Sequence, residues 1–600
     1  MGLLREAKKR VEVYSGKKKD SGKIHTILDD IISTIRENKG IILLDKLSKE
    51  LNIRDEETEN WARILANEDI LKINYPTNIF SNPELILKKG KQIEKTAIEK
   101  GKPLETYDLE ADFVKAKIRI LNKKNEIVPI YSLKIPKIPL GTSALLNQIA
   151  QELTDKIPIS IDDIKDQDKL KELKQKIFYQ IKNVFFEKDV KLNEKNLNFL
   201  SGVVLHRVYG LGNIEVLMND VNIEELVLNN SKYPISVFHR KYGWLKTNVN
   251  IKNEEQIYNL VSQIGRKVGR EITALNPIMD AHLLTGDRVA ATLSPISEGN
   301  TLTIRKFSRT PWTITHFISK EGNLMSKEIA AFLWQALQYE LSLVVSGGTA
   351  SGKTSVLNAL TPFIPPNQRI VSIEDTKEID LPQGLKWNWV SMVSRAANPE
   401  GQGGISMLDL MVSSLRMRPD RIIVGEVRTR KQAETLFEAM HTGHSVYSTM
   451  HADTVLQLKR RLLEPPINIP KNEAEALHLM LMQFRDRRSN KRRTLELAEV
   501  LTGGKTDLDI NYLYRWRPRG DVFEKANDSV RVVEELNLHT GMTEQEIKED
   551  LQDKINVLNW LLKNKEFDID RIGRVMDVYY RDKDSMLKNV EKGNSVDRVI

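Results

Sequence analysis

The sequence predicts an α/β protein: a P-loop nucleotide domain on a mostly parallel sheet, preceded by an α+β domain and a small winged-helix-like domain. Three observations carry this. In Leu341–Thr354, LSLVVSGGTASGKT, an apolar run breaks into the spacing G-x-x-x-x-G-K-[ST], and a helical pattern through Val356, Leu357 and Leu360 follows. Further on, short apolar runs alternate with helical patterns, and two of them, Ile370–Ile373 and Arg421–Val424, lead into acids. Near the start, three amphipathic helical patterns precede two short alternating segments.

Composition bounds the rest. With 600 residues, 40% hydrophobic and 29% charged, the chain has the make-up of a globular protein with several cores. The net charge of +9 is the difference of 91 basic and 82 acidic residues, so it does not by itself imply nucleic acid. Part of the excess is a basic tail over residues 1–22, with Arg5, Lys8, Lys9, Arg10 and Lys17 to Lys19; it suits a solvated tail or an approach to anionic lipid. There is no cysteine, which excludes disulfides and thiolate zinc sites and fits an intracellular setting. No apolar run approaches a membrane span and the charged start lacks a signal-peptide core, so work at a membrane is expected to go through a partner.

Taken in order, residues 23–92 carry Ile27, Leu28, Ile31, Ile32 and Ile35 on a first helix, Leu44, Leu47 and Leu51 on a second, and Trp61, Ile64 and Leu65 on a third over Asp55–Asn67. With the segments around Ile70–Tyr75 and Glu84–Lys88 this is a winged-helix-like pattern. Its third helix opens with Asp55, Glu56, Glu57 and Glu59 and has only Arg63 as a base, the wrong sign for a phosphate-lined groove, so protein docking or a structural role is expected and DNA is not. Residues 105–310 read as α+β, with strands at Ala116–Leu121, Ile127–Leu133, Glu224–Leu228, Ile235–His239, Arg288–Leu293 and Leu302–Phe307 and a helix at Glu255–Val268. A linker is expected over 311–325 and the nucleotide domain over 326–600, ending in a helical extension in which Thr543 and Glu546 form a capping box.

The phosphate loop comprises Gly347, Gly348, Thr349, Ala350, Ser351, Gly352, Lys353, Thr354 and Ser355. Glycines let the backbone curl its N–H groups onto phosphate oxygens, the helix N-terminus adds its dipole, Lys353 reaches the β- and γ-phosphates, and the Thr354 hydroxyl can hold Mg²⁺. Glu374, Asp375 and Glu426 follow strands and should converge on the carboxyl edge of the sheet, to position Mg²⁺ or orient the attacking water. His444 and His451, in TGHSVYSTMH, are candidates to sense the γ-phosphate, with structural histidines as the alternative; zinc is disfavoured by the lack of H-E-x-x-H and of thiolates.

Together the acid pair after one strand, RIIVGE after another, and TGHSVYSTMHAD resemble the Asp box, Walker B and His box of the type II/IV secretion ATPase family. NPIMDAHLLTGDRVAATL and TLTIRKF resemble the end of that family's N-terminal domain, and LRMRPDRIIVGEVR resembles the archaeal branch, the motors of archaella and archaeal type IV pili. The likeness spans about residues 105–600, more weakly at the end of the chain, and leaves out the winged-helix-like region. It implies a RecA-like ATPase domain and a homohexameric ring that uses ATP and Mg²⁺ and works in the cytoplasm, peripherally at the inner face of the membrane, against a polytopic platform protein. It also implies roles: Glu426 as the Walker B glutamate acting on the attacking water, Glu374 as second choice for that water, Asp375 and Thr354 at the metal, and Arg288 and Arg305 at the γ-phosphate, where a surface salt bridge is the alternative for each arginine. Arg428, two residues past Glu426, is a weaker candidate. The tetracysteine zinc module of many bacterial pilus-extension members is ruled out by the absence of cysteine. The expected function is assembly or movement of a pilus-like filament or a secretion system. A conjugative DNA-transfer motor and a nucleotide-switched DNA-binding regulator are the alternatives.

Overall fold

The structure, a computed structural model, describes residues 24–600 apart from 77–81, 89–100, 125, 155–166, 191, 213, 284, 307–310, 396, 398–401, 487, 490 and 504–506. The basic tail at 1–22 therefore lies outside the described residues. The chain divides into two compact units, 1–307 and 308–600.

In the first unit, helices Ile27–Glu37, Leu44–Leu51 and Asp55–Asn67 bury Leu28, Ile31, Ile35, Leu47 and Leu65 against strands β1 (Ile41–Leu43), β2 (Leu71–Asn74) and β3 (Glu84–Leu87), ordered β1-β3-β2. The short strand β1 is not evident in the apolar pattern. A buried carboxylate fastens this module to the helix Leu140–Thr154. Asp29 accepts the Thr26 N–H of its own helix at 3.1 Å and, through its other oxygen, the Gly141 and Thr142 N–H groups at 2.8 and 3.1 Å. It so caps the helix Leu140–Thr154, whose first N–H groups have no partner within the helix. A side chain at Gly141 would come within 2.5 Å of the Leu28 backbone, so glycine is what permits the contact.

The remainder of this unit is a nine-stranded sheet of β4 (Lys102–Ala111), β5 (Val114–Asn122), β6 (Ile130–Lys134), β7 (Ile223–Leu228), β8 (Ser236–His239), β9 (Gly243–Thr247), β10 (Ile278–His282), β11 (Arg288–Thr292) and β12 (Thr301–Arg305). Its order is β10-β11-β12-β7-β8-β9-β6-β5-β4, antiparallel except for β6 against β9. An edge strand rich in charge, β4 offers no apolar run for sequence reading to detect.

The second unit is built on β13 (Leu343–Gly347), β14 (Ile370–Glu374), β15 (Trp389–Val393), β16 (Arg421–Val424), β17 (Ser445–Met450), β18 (Leu479–Arg485), β19 (Arg492–Leu501), β20 (Asp509–Arg517) and β21 (Val522–Lys525), in the order β15-β14-β16-β17-β13-β18-β19-β20-β21. The first six strands of that order are parallel and the rest antiparallel. Successive side chains of a strand point to opposite faces. Val345, Ile423, Leu479 and Leu481 accordingly join one apolar cluster, while Val344, Ile422, Val424, Met480 and Met482 join another. A sheet buried on both faces by helices is the expected home of such apolar strands, and the α/β fold class read from the sequence is what the chain adopts.

The C-terminal helices pack on the helix Lys327–Gln338, which precedes β13. Trp334 Nε1 donates to the Tyr580 hydroxyl at 2.8 Å, and Gln335 Nε2 donates to the Asp550 carboxylate at 2.8 Å. Asp550 also pairs with the fully buried Lys554 and, at 2.9 Å, with Lys583. The capping box of Thr543 and Glu546 is present at the start of Glu544–Lys563. Among the described residues no helix is long and apolar enough to cross a membrane.

Candidate active site

Strand β13 delivers the chain at Gly347, where a Cβ would lie 2.2 Å from the Gln483 carbonyl oxygen on β18. The loop then turns through left-handed Ala350 (φ +58°) and Gly352 (φ +96°) into the helix Lys353–Leu360. Ser351 is buried, Thr354 is half-buried, and Thr349 and Ser355 are exposed. The Ser346 hydroxyl bridges to β17, donating toward the Met450 and Ala452 carbonyls at 3.0 Å and accepting the Ala452 N–H at 2.8 Å, so the ends of the two strands are fastened together.

From Lys353 a continuous chain of polar contacts crosses the carboxyl ends of three strands. Its Nζ donates to the Gly347 and Gly348 carbonyls at 3.1 and 3.3 Å and stands 3.2 Å from His451 Nδ1. His451 Nε2 is 3.0 Å from Glu426 Oε1, the other Glu426 oxygen takes Arg428 at 2.8 Å, and Arg428 reaches Asp375 at 3.1 Å. Asp375 is held in turn by the Ser394 hydroxyl at 3.0 Å. His451 follows β17, Glu426 follows β16 and Asp375 follows β14, the edge at which parallel sheets collect ligands.

The two glutamates differ in environment. Glu374 is 2% exposed and lies against Gly425, the residue before Glu426. One of its oxygens accepts the Glu378 and Ile379 N–H groups at 2.8 and 2.9 Å; the other is buried without a hydrogen-bond partner. Burial outweighs those two bonds and pushes its carboxyl up to about 7. Burial also raises Glu426, but the Arg428 hydrogen bond and the charges of Arg428, His451 and Lys353 overcome it and leave that carboxyl below the ordinary range. Burial and the Lys353 charge lower the His451 imidazole, favouring its neutral form. The loop beyond Glu374 is clasped by the phosphate-loop helix, since Asn358 donates to the Glu378 carbonyl at 2.6 Å and accepts the Asp380 N–H at 2.8 Å.

Lys353, Glu374, Asp375, Glu426 and His451 thus gather at one edge of the sheet. His444 does not join them. It precedes β17, at the end of that strand away from the loop, and bonds to Thr442 at 3.0 Å and the Ala439 carbonyl at 3.2 Å. Arg288 and Arg305 lie in the other unit, directly paired across β11 and β12, and Arg288 also pairs with Asp280 at 3.1 Å. Sequence reading ranked Arg428 low and passed over Asn358, Ser394 and Arg492, whose Nε donates to the Ala350 carbonyl at 3.0 Å. Only Arg492 left a trace, the basic run RDRRSNKRR. Among the described residues no group of three or more His, Asp or Glu could hold a metal on its own.

A glycine-bounded loop between a central parallel strand and a helix, faced by a lysine and strand-end carboxylates, defines a P-loop nucleoside-triphosphatase. The model of the Type II/IV secretion system protein family matches residues 212–485. An uncharacterized protein of Methanocaldococcus jannaschii, MJ0900, is 32% identical over 415 residues, which cover 67% of this chain and 73% of that protein. The type IV secretion system protein VirB11 of Bartonella henselae is 28% identical over 278 residues, 40% of this chain and 76% of its own length. The structure of the Legionella pneumophila ATPase DotB superposes with a TM-score of 0.36 at 18% identity, over 60% of this chain and 92% of that one. The chain belongs to the type II/IV secretion system protein family, and it is a P-loop ATPase.

Proposed function

We propose that this ATPase is a homohexameric, Mg²⁺-dependent motor whose hydrolysis drives assembly or movement of a type IV pilus-like filament, whether archaellum, pilus or secretion apparatus. It would work from the cytoplasm, held peripherally at the inner face of the membrane by a polytopic platform protein. The observation that carries the catalytic part is the contact chain from Lys353 through His451 and Glu426 to Arg428 and Asp375. It joins the residue that would grip phosphate to the acids that would act on water. A triphosphate in the loop competes with the Gly347 and Gly348 carbonyls and with His451 for the Lys353 ammonium, so nucleotide arrival is passed to Glu426 through a single imidazole.

The two acids divide the work by environment. With a carboxyl near 7, Glu374 is matched to accept a proton from the attacking water at neutral pH; Glu426, held ionised, orients and polarises. This puts Glu374 first for the proton, where the sequence put Glu426. The Thr354 hydroxyl and the Asp375 carboxylate are hard oxygen donors of the kind Mg²⁺ takes alongside phosphate and water, and the ion would neutralise charge on the β- and γ-oxygens. Arg288 and Arg305 stand opposite one another across β11 and β12, where Asp280 answers Arg288 at 3.1 Å and Glu225 on β7 lies opposite Arg305, the surface pairing that is the alternative for each. We propose both for the γ-phosphate on the strength of the family likeness alone. His444, far along β17 from the loop, is given no part in the chemistry. The test is steady-state phosphate release by Lys353→Ala, Glu426→Gln and Glu374→Gln, each expected to fall at least about 100-fold. A wild-type rate in the first two would overturn the site.

The likeness to the conjugal transfer protein TrbB of Rhizobium radiobacter, 30% identical over 252 residues, keeps a DNA-transfer motor as the second reading. Against it, Asp55 and Glu56 are exposed on the third helix, and its one base, Arg63, is paired with Glu59 at 2.7 Å. Salt-sensitive DNA binding by the full chain, lost when Arg63 is reversed to Glu, would favour it.

A further inference from the structure

The sequence of the hairpin of β18 and β19 carries six basic residues and one acid from Arg485 to Arg493. Because β18 runs parallel to β13, and Arg485 pairs with Arg492 across the hairpin, this cationic turn lies at the same edge of the sheet as the phosphate loop. It lies on the opposite flank of β13 from the acids. In the strand order, β17, β16 and β14, whose ends bear His451, Glu426, Glu374 and Asp375, are on one side of β13; β18 and β19 are on the other. A phosphate chain seated in the loop with its terminal phosphate toward those acids directs its remaining phosphates and its nucleoside toward the hairpin.

Arg492 is held where it would meet them. Its Nε donates to the Ala350 carbonyl at 3.0 Å, and its Cδ is the nearest atom, at 3.8 Å, to a Cβ built on Gly352. The backbone beneath it is fixed. Arg493, buried, takes both Asp521 oxygens at 2.7 Å and donates to the Arg492 carbonyl at 2.7 Å. Asp521 also accepts Trp516 Nε1 at 2.9 Å, and the Thr494 N–H bonds the Leu324 carbonyl at 2.7 Å. A guanidinium on so restrained a strand is preorganised, with little ordering entropy left to lose when it meets an anion.

Resting on the phosphate-loop assignment, we propose that Arg492 is a nucleotide-binding residue that grips the α- and β-phosphates of a nucleoside di- or triphosphate from the flank opposite the catalytic acids. Such a contact is shared by ADP and ATP, which separates it from any residue that senses the γ-phosphate.

The experiment is titration of the full chain with ADP and with a non-hydrolysable ATP analogue, for the wild type and for Arg492→Gln, Arg492→Lys, Arg488→Gln and Lys353→Ala. Arg492→Gln is expected to weaken both ligands by about 10-fold or more, as for a lost charge-assisted hydrogen bond. Arg492→Lys should recover part of the loss, and Arg488→Gln, at the hairpin tip, should bind as the wild type does. A loss confined to the ATP analogue would overturn the assignment, as would an equal loss in Arg488→Gln, which would mark a diffuse field rather than a contact. Should Arg492→Gln fold poorly, Arg492→Lys decides alone, because a lysine that weakens neither ligand removes the case for a guanidinium grip. If Arg492→Gln binds normally while Lys353→Ala does not, this inference fails alone; if both bind normally, the phosphate-loop assignment fails with it.

Discussion

Glu374→Gln should stabilise the protein at alkaline pH and not at acid pH. The native carboxyl sits near 7 instead of its ordinary 4.5, so between those values the folded chain holds a proton that the unfolded chain gives up. Stability from this group is therefore complete below pH 4.5, falls as the pH rises through 7, and is gone above it, with a total loss of about 3 kcal/mol. Glutamine keeps an oxygen to accept the Glu378 and Ile379 N–H groups and has no charge to bury, so it escapes that loss. Thermal unfolding in metal- and nucleotide-free buffer at several values between pH 5 and pH 8 measures the difference. The variant's melting temperature should match the wild type's within a degree or two at pH 5 and exceed it by roughly 5–10 °C at pH 8. Phosphate release should fall in the same protein, a more stable enzyme that turns over less. An offset that does not change with pH, or a variant less stable at pH 8, would show that Glu374 is not a proton-holding buried acid, and its assignment as the base would go with it.

Two further outcomes come from the packing. Asp550→Asn leaves Lys554 buried without its carboxylate and deprives Lys583 of a partner, so the unfolding free energy should fall by about 3–5 kcal/mol in chemical denaturation, whereas Asp553→Asn, which touches only Lys583 there, should cost far less. Gly347→Ala places a Cβ 2.2 Å from the Gln483 carbonyl oxygen and should abolish nucleotide binding by calorimetry, while Gly352→Ala, strained in backbone but meeting nothing nearer than Arg492 Cδ at 3.8 Å, should weaken binding only severalfold.

What sequence reading recovered was local. The phosphate loop is nine consecutive residues whose types follow from the turn they make, and the strands β14 and β16 are marked by apolar runs within single segments. The capping box of Thr543 and Glu546 needs only three residues of separation. What it missed depends on which distant segments meet. Arg428 looks unremarkable two residues from Glu426 until β14 comes to lie beside β16 and supplies Asp375. Arg492 is separated by 142 positions from the Ala350 carbonyl it binds, and only the hairpin between β18 and β19 brings it back.

The histidines show how a correct motif can still mislead about distance. His444 and His451 are seven positions apart, close enough in sequence to suggest one cluster. The residues between them, Ser445–Met450, are a fully buried strand, and an extended strand advances about 3.3 Å per residue, which sets the two imidazoles about 20 Å apart at opposite ends of β17. The same rule makes the site possible: because β13, β14, β16 and β17 all run parallel, the residue that follows each strand arrives at a common edge. Among these four parallel strands a position just after a strand is a candidate for chemistry, and a position just before one is not, whatever the side chain. His451, Glu426 and Asp375 meet that condition, with Glu374 as the last residue of its strand; His444 does not. Strand direction, which no single segment reveals, is what separates them.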